Sequence, residues 1–144
     1  EDLVPRADIL APNVWELSFL TGADIAAPQD AVAAARSLGR PVLVSSIDLG
    51  DDIGVIYADE TEAWIAAHAR VASAPKGTGD LLTALFGAAL LDGLTGAAAL
   101  SRAVSGVAET VVAAQALSAT ELPIVGMAQG LKATSPRVRL ERLA

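Results

Sequence analysis

The apolar and polar positions of this chain alternate between strand-like and helix-like texture. Ala7 to Ala11 is a short apolar run closed by Pro12, whose missing N–H and fixed φ end a strand. From Asn13 onward Val14, Leu17 and Leu20 recur at helical spacing, and Gly22 supplies a C-terminal stop. Asp30 is placed to cap a second helix over Ala31 to Leu38, ended by Gly39. Pro41 to Ile47 is β-branched and continuous, as in a strand buried on both faces of a parallel sheet. Gly54 to Ala58 and Ala63 to Val71 flank the polar turn Asp59-Glu60-Thr61-Glu62 and predict an antiparallel hairpin extending that sheet.

The texture then changes. Gly79 to Leu91 and Ala97 to Ala119 are rich in Ala and Leu, lack proline, and predict two packed helices separated by Gly93 and Gly96. Leu122 to Lys132 fits no single period, and Val138 to Leu143 alternates apolar with charged residues like an edge strand. The strand, helix, helix, strand order is α/β grammar: a mostly parallel sheet with helices on both faces and an antiparallel hairpin extension. No repeat, low-complexity tract or internal linker interrupts it.

Composition narrows the function. The chain has 144 residues, 53% of them hydrophobic and only 3% aromatic, so one core of small aliphatic side chains is expected. A net charge of -7 argues against a general nucleic-acid binder, which needs clustered Lys and Arg. The absence of cysteine excludes disulfides, thiolate metal sites and thiol nucleophiles, and fits a reducing cytoplasm. No apolar stretch is long and uninterrupted enough to read as a membrane span, and EDLVPRADIL lacks a basic secretory n-region, so a soluble chain is expected. Because it starts at Glu1 rather than Met, in a proline-containing segment, further sequence is expected to precede it.

Three segments carry candidate chemistry. In Ala74-Pro-Lys-Gly-Thr-Gly-Asp80, glycines at 77 and 79 let backbone amides approach a ligand at a helix N-terminus, which suits phosphate. The loop is not a Walker sequence, and Leu82 stands where a dinucleotide fingerprint needs a small residue. Asp80 beside an anion site is electrostatically awkward unless a metal or a reacting hydroxyl is present, and its carboxylate could accept an alcohol proton. The plain alternative is that Thr78 or Asp80 only caps the helix.

Asn13-Val-Trp-Glu16 follows the first predicted strand, at the edge where parallel sheets collect ligand groups. Glu16 could hold magnesium through water and Asn13 could touch its hydration shell or a phosphate; equally, Asn followed three residues later by Glu is a capping box. Ser45-Ser46 ends the second strand, at the same sheet edge. His68 is the one histidine and is expected to be solvent-facing or structural, while Trp15, Trp64 and Met127 read as packing residues. Lys76 is either a mobile charge near phosphate or a solvated loop residue.

The stretches ADILAPNVWEL, VLVSSIDL, PKGTGDLLTALF and ELPIVGMAQGLKATSP together resemble the ribokinase superfamily and, within it, the pyridoxal kinases. Sugar kinases of that superfamily more often read GAGD at the loop. Hydroxymethylpyrimidine kinases commonly carry GTG followed by cysteine, whereas position 80 here is Asp. The resemblance implies transfer of the ATP γ-phosphate to the 5′-hydroxyl of pyridoxal or a related B6 vitamer in the cytoplasm. Asp80 would be the base, the amides of Gly77, Thr78 and Gly79 the anion hole, Ser45 and Asn13 nucleotide contacts, and Glu16 the water-mediated magnesium residue. Adenine would rest near the Val71 to Pro75 loop and the apolar face of the Ala97 to Ala119 helix.

A monovalent cation is a further candidate cofactor, and a homodimer is implied, with no nucleic acid or membrane partner. Family members are much longer, so residues 1–144 correspond to the nucleotide-binding and catalytic C-terminal half; the missing N-terminal half would supply most of the acceptor pocket and the lid. Another vitamin or sugar kinase of the superfamily, or a non-catalytic nucleotide-binding fragment, are the alternatives.

Overall fold

The computed structural model describes residues 3–144; Glu1 and Asp2, on which the expectation about the chain start rests, lie outside them. A 3-10 turn at Val4–Arg6 leads into a segment that runs beside the first strand. Helices α1 (Val14–Thr21) and α2 (Pro28–Ser37) come next, then strands β1 (Val42–Leu49), β2 (Asp52–Ala58) and β3 (Ala63–Ala69). Helices α3 (Thr78–Leu91) and α4 (Gly96–Ala116), the single turn α5 (Ile124–Met127) and strand β4 (Arg139–Arg142) complete the chain.

The sheet runs β1-β2-β3-β4, and every adjacent pair of these strands is antiparallel. The expected mostly parallel character is not seen among these four strands. Among the described residues, parallel pairing occurs only where Leu10 meets Val42 and Asn13 meets Ser45. The Ala7 to Ala11 run therefore contributes one isolated bridge, at Leu10, rather than a strand. Leu43 N–H donates to Leu10 O (2.7 Å) and Ser45 N–H to Pro12 O (3.0 Å), but Pro12 has no N–H to return.

The continuous apolar run in β1 reports burial on two faces, not strand direction. Val42, Val44 and Ile47 pack with Leu17 of α1 and Ala31 and Val32 of α2. Leu43 points to the other face, joining Val55, Phe86, Leu100 and Val104 under α3 and α4. Helices thus do cover both faces, as expected. By length and composition α4 could cross a membrane, yet 61% of its most apolar window is buried against α3 and the sheet, which makes it a core helix.

Local chemistry sets the element ends. Gly22 closes α1 with φ +70°, a left-handed conformation that costs glycine nothing sterically. Asp30 sits inside α2 and accepts from the amides of Ala26 and Ala27 (3.1 and 2.8 Å), so that helix starts three residues before its expected first residue. Gly96 is the first residue of α4 rather than a spacer: a Cβ there would stand 2.1 Å from the Tyr57 ring, so glycine permits the contact between α4 and β2.

Candidate nucleotide site

The site lies over the middle of β1, which runs on past Ser45 and Ser46 to Leu49 rather than ending at them as expected. A bulge shifts the β1–β2 register between Val44 and Ile47, and within it Ser46 adopts φ +64°, left-handed for a non-glycine residue. Such strained positions persist where the surrounding structure over-determines them, and they cluster at functional sites. The bulge brings Ser45 and Ser46 to the floor of a cavity of about 460 Å³.

Thr78 and Gly79 of α3 form one end of that cavity, together with Asn13. Val104, Val107 and Val111 of α4 form an apolar wall, and Val71, Ala72 and Ala74 close it from the loop after β3. A second cavity of about 250 Å³ shares Asn13, Ser45 and Gly79 with the first and adds Glu16, Asp80 and Thr83. The three candidate segments therefore converge at one sheet edge. Lys76 is exposed and lines neither cavity.

Two helix starts meet here and differ. At α1, Asn13 Oδ1 accepts from Glu16 N–H (2.9 Å) and Glu16 Oε2 accepts from Asn13 N–H (2.8 Å), a complete capping box. The structural role weighed for these two residues is real, and any ligand role is additional to it. At α3, Gly77 occupies the N-cap with φ +94°, and no side chain caps the helix. The first helical bond runs from Leu81 N–H to Gly77 O (3.0 Å), so the amides before it have no side-chain acceptor among the described residues. Neither Thr78 nor Asp80 serves as the cap. A fourteen-residue helix thus directs open amides, and the positive end of its dipole, at the junction of the two cavities.

The donor set suits a hard cation carried mainly by its ligand. Among the described residues no group of three or more His, Cys, Asp and Glu side chains comes together. Glu16 and Asp80 line the smaller cavity, and magnesium accepts one or two carboxylates alongside phosphate oxygens and waters.

A family model described as phosphomethylpyrimidine kinase matches residues 1–125. The chain belongs to that family. It is 41% identical over 130 residues to the pyridoxine/pyridoxal/pyridoxamine kinase of Bordetella avium, covering 85% of this chain and 42% of that protein. It is 32% identical over 149 residues to the pyridoxal kinase of Corynebacterium diphtheriae, covering 98% of this chain and 52% of the relative. The crystal structure of pyridoxal kinase from Entamoeba histolytica superposes with a TM-score of 0.85 at 26% identity, over 99% of this chain and 53% of that one. The resemblance to pyridoxal kinases is borne out, and the chain spans about half the length of the relatives it matches.

Sequence reasoning missed part of the wall. His68 and Arg70 line the larger cavity, as does Leu82. Conversely, Trp15 is not a packing residue: it is 71% exposed and stacks on Phe19, also exposed, with ring centroids 5.8 Å apart. Met127 is half-buried in α5 and belongs to neither core cluster, whereas Trp64 packs at the edge of the α3–α4 cluster as expected. Helical spacing tells which residues share a face, not whether that face has a partner.

Proposed function

We propose that this chain carries the nucleotide-binding and phosphoryl-transfer half of a pyridoxal kinase, acting with magnesium and ATP on the 5′-hydroxyl of a B6 vitamer. The observation that carries it is the uncapped start of α3, whose amides stand where the two cavities meet, with Asp80 lining the smaller one. Phosphoryl transfer asks a protein chiefly for positioning and charge stabilisation, and open helix amides supply both to transferring oxygens.

In this reading the amides of Gly77, Thr78 and Gly79 hold the polyphosphate, and Ser45 and Asn13 bind its far side. Asp80 accepts the acceptor hydroxyl's proton. Glu16, with one carboxylate oxygen committed to the capping box, reaches a magnesium-bound water. Magnesium, when bound, neutralises charge on the phosphates. The names of the curated relatives favour a B6 vitamer over other small alcohols as acceptor. The remaining half of the relatives' length would supply the acceptor pocket and the parallel strands that would make the sheet mostly parallel. Homodimerisation, assistance by a monovalent cation and a cytoplasmic setting complete the reading.

Mapping of amide chemical shifts on titration with a magnesium–ATP analogue tests the site. Perturbations centred on Asn13, Ser45 and Gly77 to Asp80 are expected. Shifts confined to another face would remove the assignment.

A further inference from the structure

Asn13, Ser45 and Gly79 line the larger cavity on the side it shares with the smaller one, while Val104, Val107 and Val111 line it from α4, and this contrast orients any nucleotide in it. The amides of α3 with Asn13 and Ser45 take the anionic end, which leaves the base among Val104, Val107 and Val111 of α4 and Val71 of the loop. Apolar walls bury a planar base but do not identify it, because every base offers similar faces. Discrimination requires a hydrogen-bonding group at the edge of the ring.

His68 supplies one. In β3, Ala66 is buried in the cluster that contains Val104, Val107 and Val111, and Trp64 packs at its edge. Side chains two apart on a strand share a face, so His68 points to the same side, against α4 and into the cavity. Its Nδ1 lies 2.9 Å from Ala69 O, an oxygen that can only accept; Nδ1 therefore carries the hydrogen. In the neutral ring Nε2 is then an acceptor, and it has no partner among the described residues. The neighbouring Arg70 is spoken for, since its guanidinium donates to Asp48 Oδ1 (2.8 Å) and Gly50 O (3.2 Å) and ties β3 to the β1–β2 turn.

We propose that His68 selects the base of the bound nucleotide, its Nε2 accepting from an exocyclic amine and so favouring adenine over a 6-oxopurine. A carbonyl at that ring position would set acceptor against acceptor and leave both unsatisfied. The inference rests on the nucleotide reading of the cavity and goes beyond it by assigning the residue that reads the base.

The test compares calorimetric binding of the magnesium salts of ATP and ITP, which differ in the amine or oxygen at one ring position. The unmodified chain, His68→Ala and His68→Phe are measured, the last keeping a flat ring without Nε2. The unmodified chain should prefer ATP by about tenfold, the scale of one hydrogen bond plus its mismatch. Both variants should bind ATP several-fold more weakly and ITP as well or somewhat better, which erases the preference. Equal weakening of both nucleotides, or no change in either, overturns base selection while leaving the nucleotide site in place. An unmodified chain that binds ATP and ITP alike does the same. If it binds neither, the nucleotide reading falls and base selection falls with it.

Discussion

The starts of α1 and α3 face the same pair of cavities and solve the problem of unpaired helix amides in opposite ways. In α1 the protein answers itself: Asn13 and Glu16 exchange backbone-to-side-chain bonds and close the capping box. In α3 a left-handed glycine brings the chain in, and no side chain follows to satisfy the first turn. A cap of the first kind is worth about 1 kcal/mol of stability. Leaving that contribution unrealised at α3, beside a strained Ser46, is what the proposed phosphate site would require of this helix end. Stability and function should therefore separate when the two starts are altered.

The largest expected effect is at the open start. Asp80→Asn preserves shape and hydrogen bonding but removes the proposed proton acceptor and a negative charge beside the proposed phosphate site. In a preparation that turns over pyridoxal, with acceptor saturating, kcat should fall about 10²- to 10⁴-fold, the usual range for a general base. ATP affinity should hold or improve, and the melting temperature should change little, since Asp80 caps nothing. A near-normal kcat would return Asp80 to a structural role and break the contrast.

The closed start should answer in the other currency. Asn13→Ala removes a cap and should lower stability by about 1 kcal/mol, read from denaturant midpoints at constant slope. Glu16→Gln keeps an acceptor for the Asn13 amide, so it should leave stability nearly unchanged. If Glu16 also serves magnesium, this variant should raise the magnesium concentration needed for half-maximal turnover. A Glu16→Gln enzyme with unaltered magnesium dependence would confine Glu16 to capping.

Why some of this was legible and some not follows from what a sequence encodes. The capping box and the glycines at 77 and 79 are local, so both helix starts could be read with their alternatives; only geometry shows that one is capped and the other is not. The apolar run at 42 to 44 reveals two covered faces but not strand direction, because burial constrains side chains and not the polarity of the neighbour. That His68 faces a cavity was not legible because its face depends on the pairing of β3 under α4, which lies some forty residues further along. Gly96 looked like a spacer because the Tyr57 ring it admits comes from another element.

A third closed arrangement, remote from the cavities, gives the smallest effect and the control for the comparison. At the β2–β3 turn Asp59 accepts from the amides of Thr61 (2.7 Å) and Glu62 (2.8 Å) and from Tyr57 Oη–H (2.8 Å). Burial raises the Asp59 pKa, but the bonds from Glu62, Tyr57 and Thr61 outweigh it and hold the carboxyl at about 2, down from 3.8. Tyr57 is pushed the other way, well above its usual range, by burial first and by Asp59 second, so it stays a donor. Because the folded pKa of Asp59 lies below its unfolded value, its contribution is present above about pH 4 and is lost as pH falls from 3.8 toward 2. The carboxyl is partly exposed and solvent screens it, so the effect should be small. Asp59→Asn, which keeps an acceptor for both amides, should flatten the acid side of the melting-temperature profile while leaving ATP affinity at neutral pH untouched. Melting curves for the two proteins that stay parallel from pH 6 to pH 3 would show that the turn draws no stability from the charge. A loss of ATP affinity in Asp59→Asn would show that closed turns and the open helix start are not independent, and the separation of stability from function would fail.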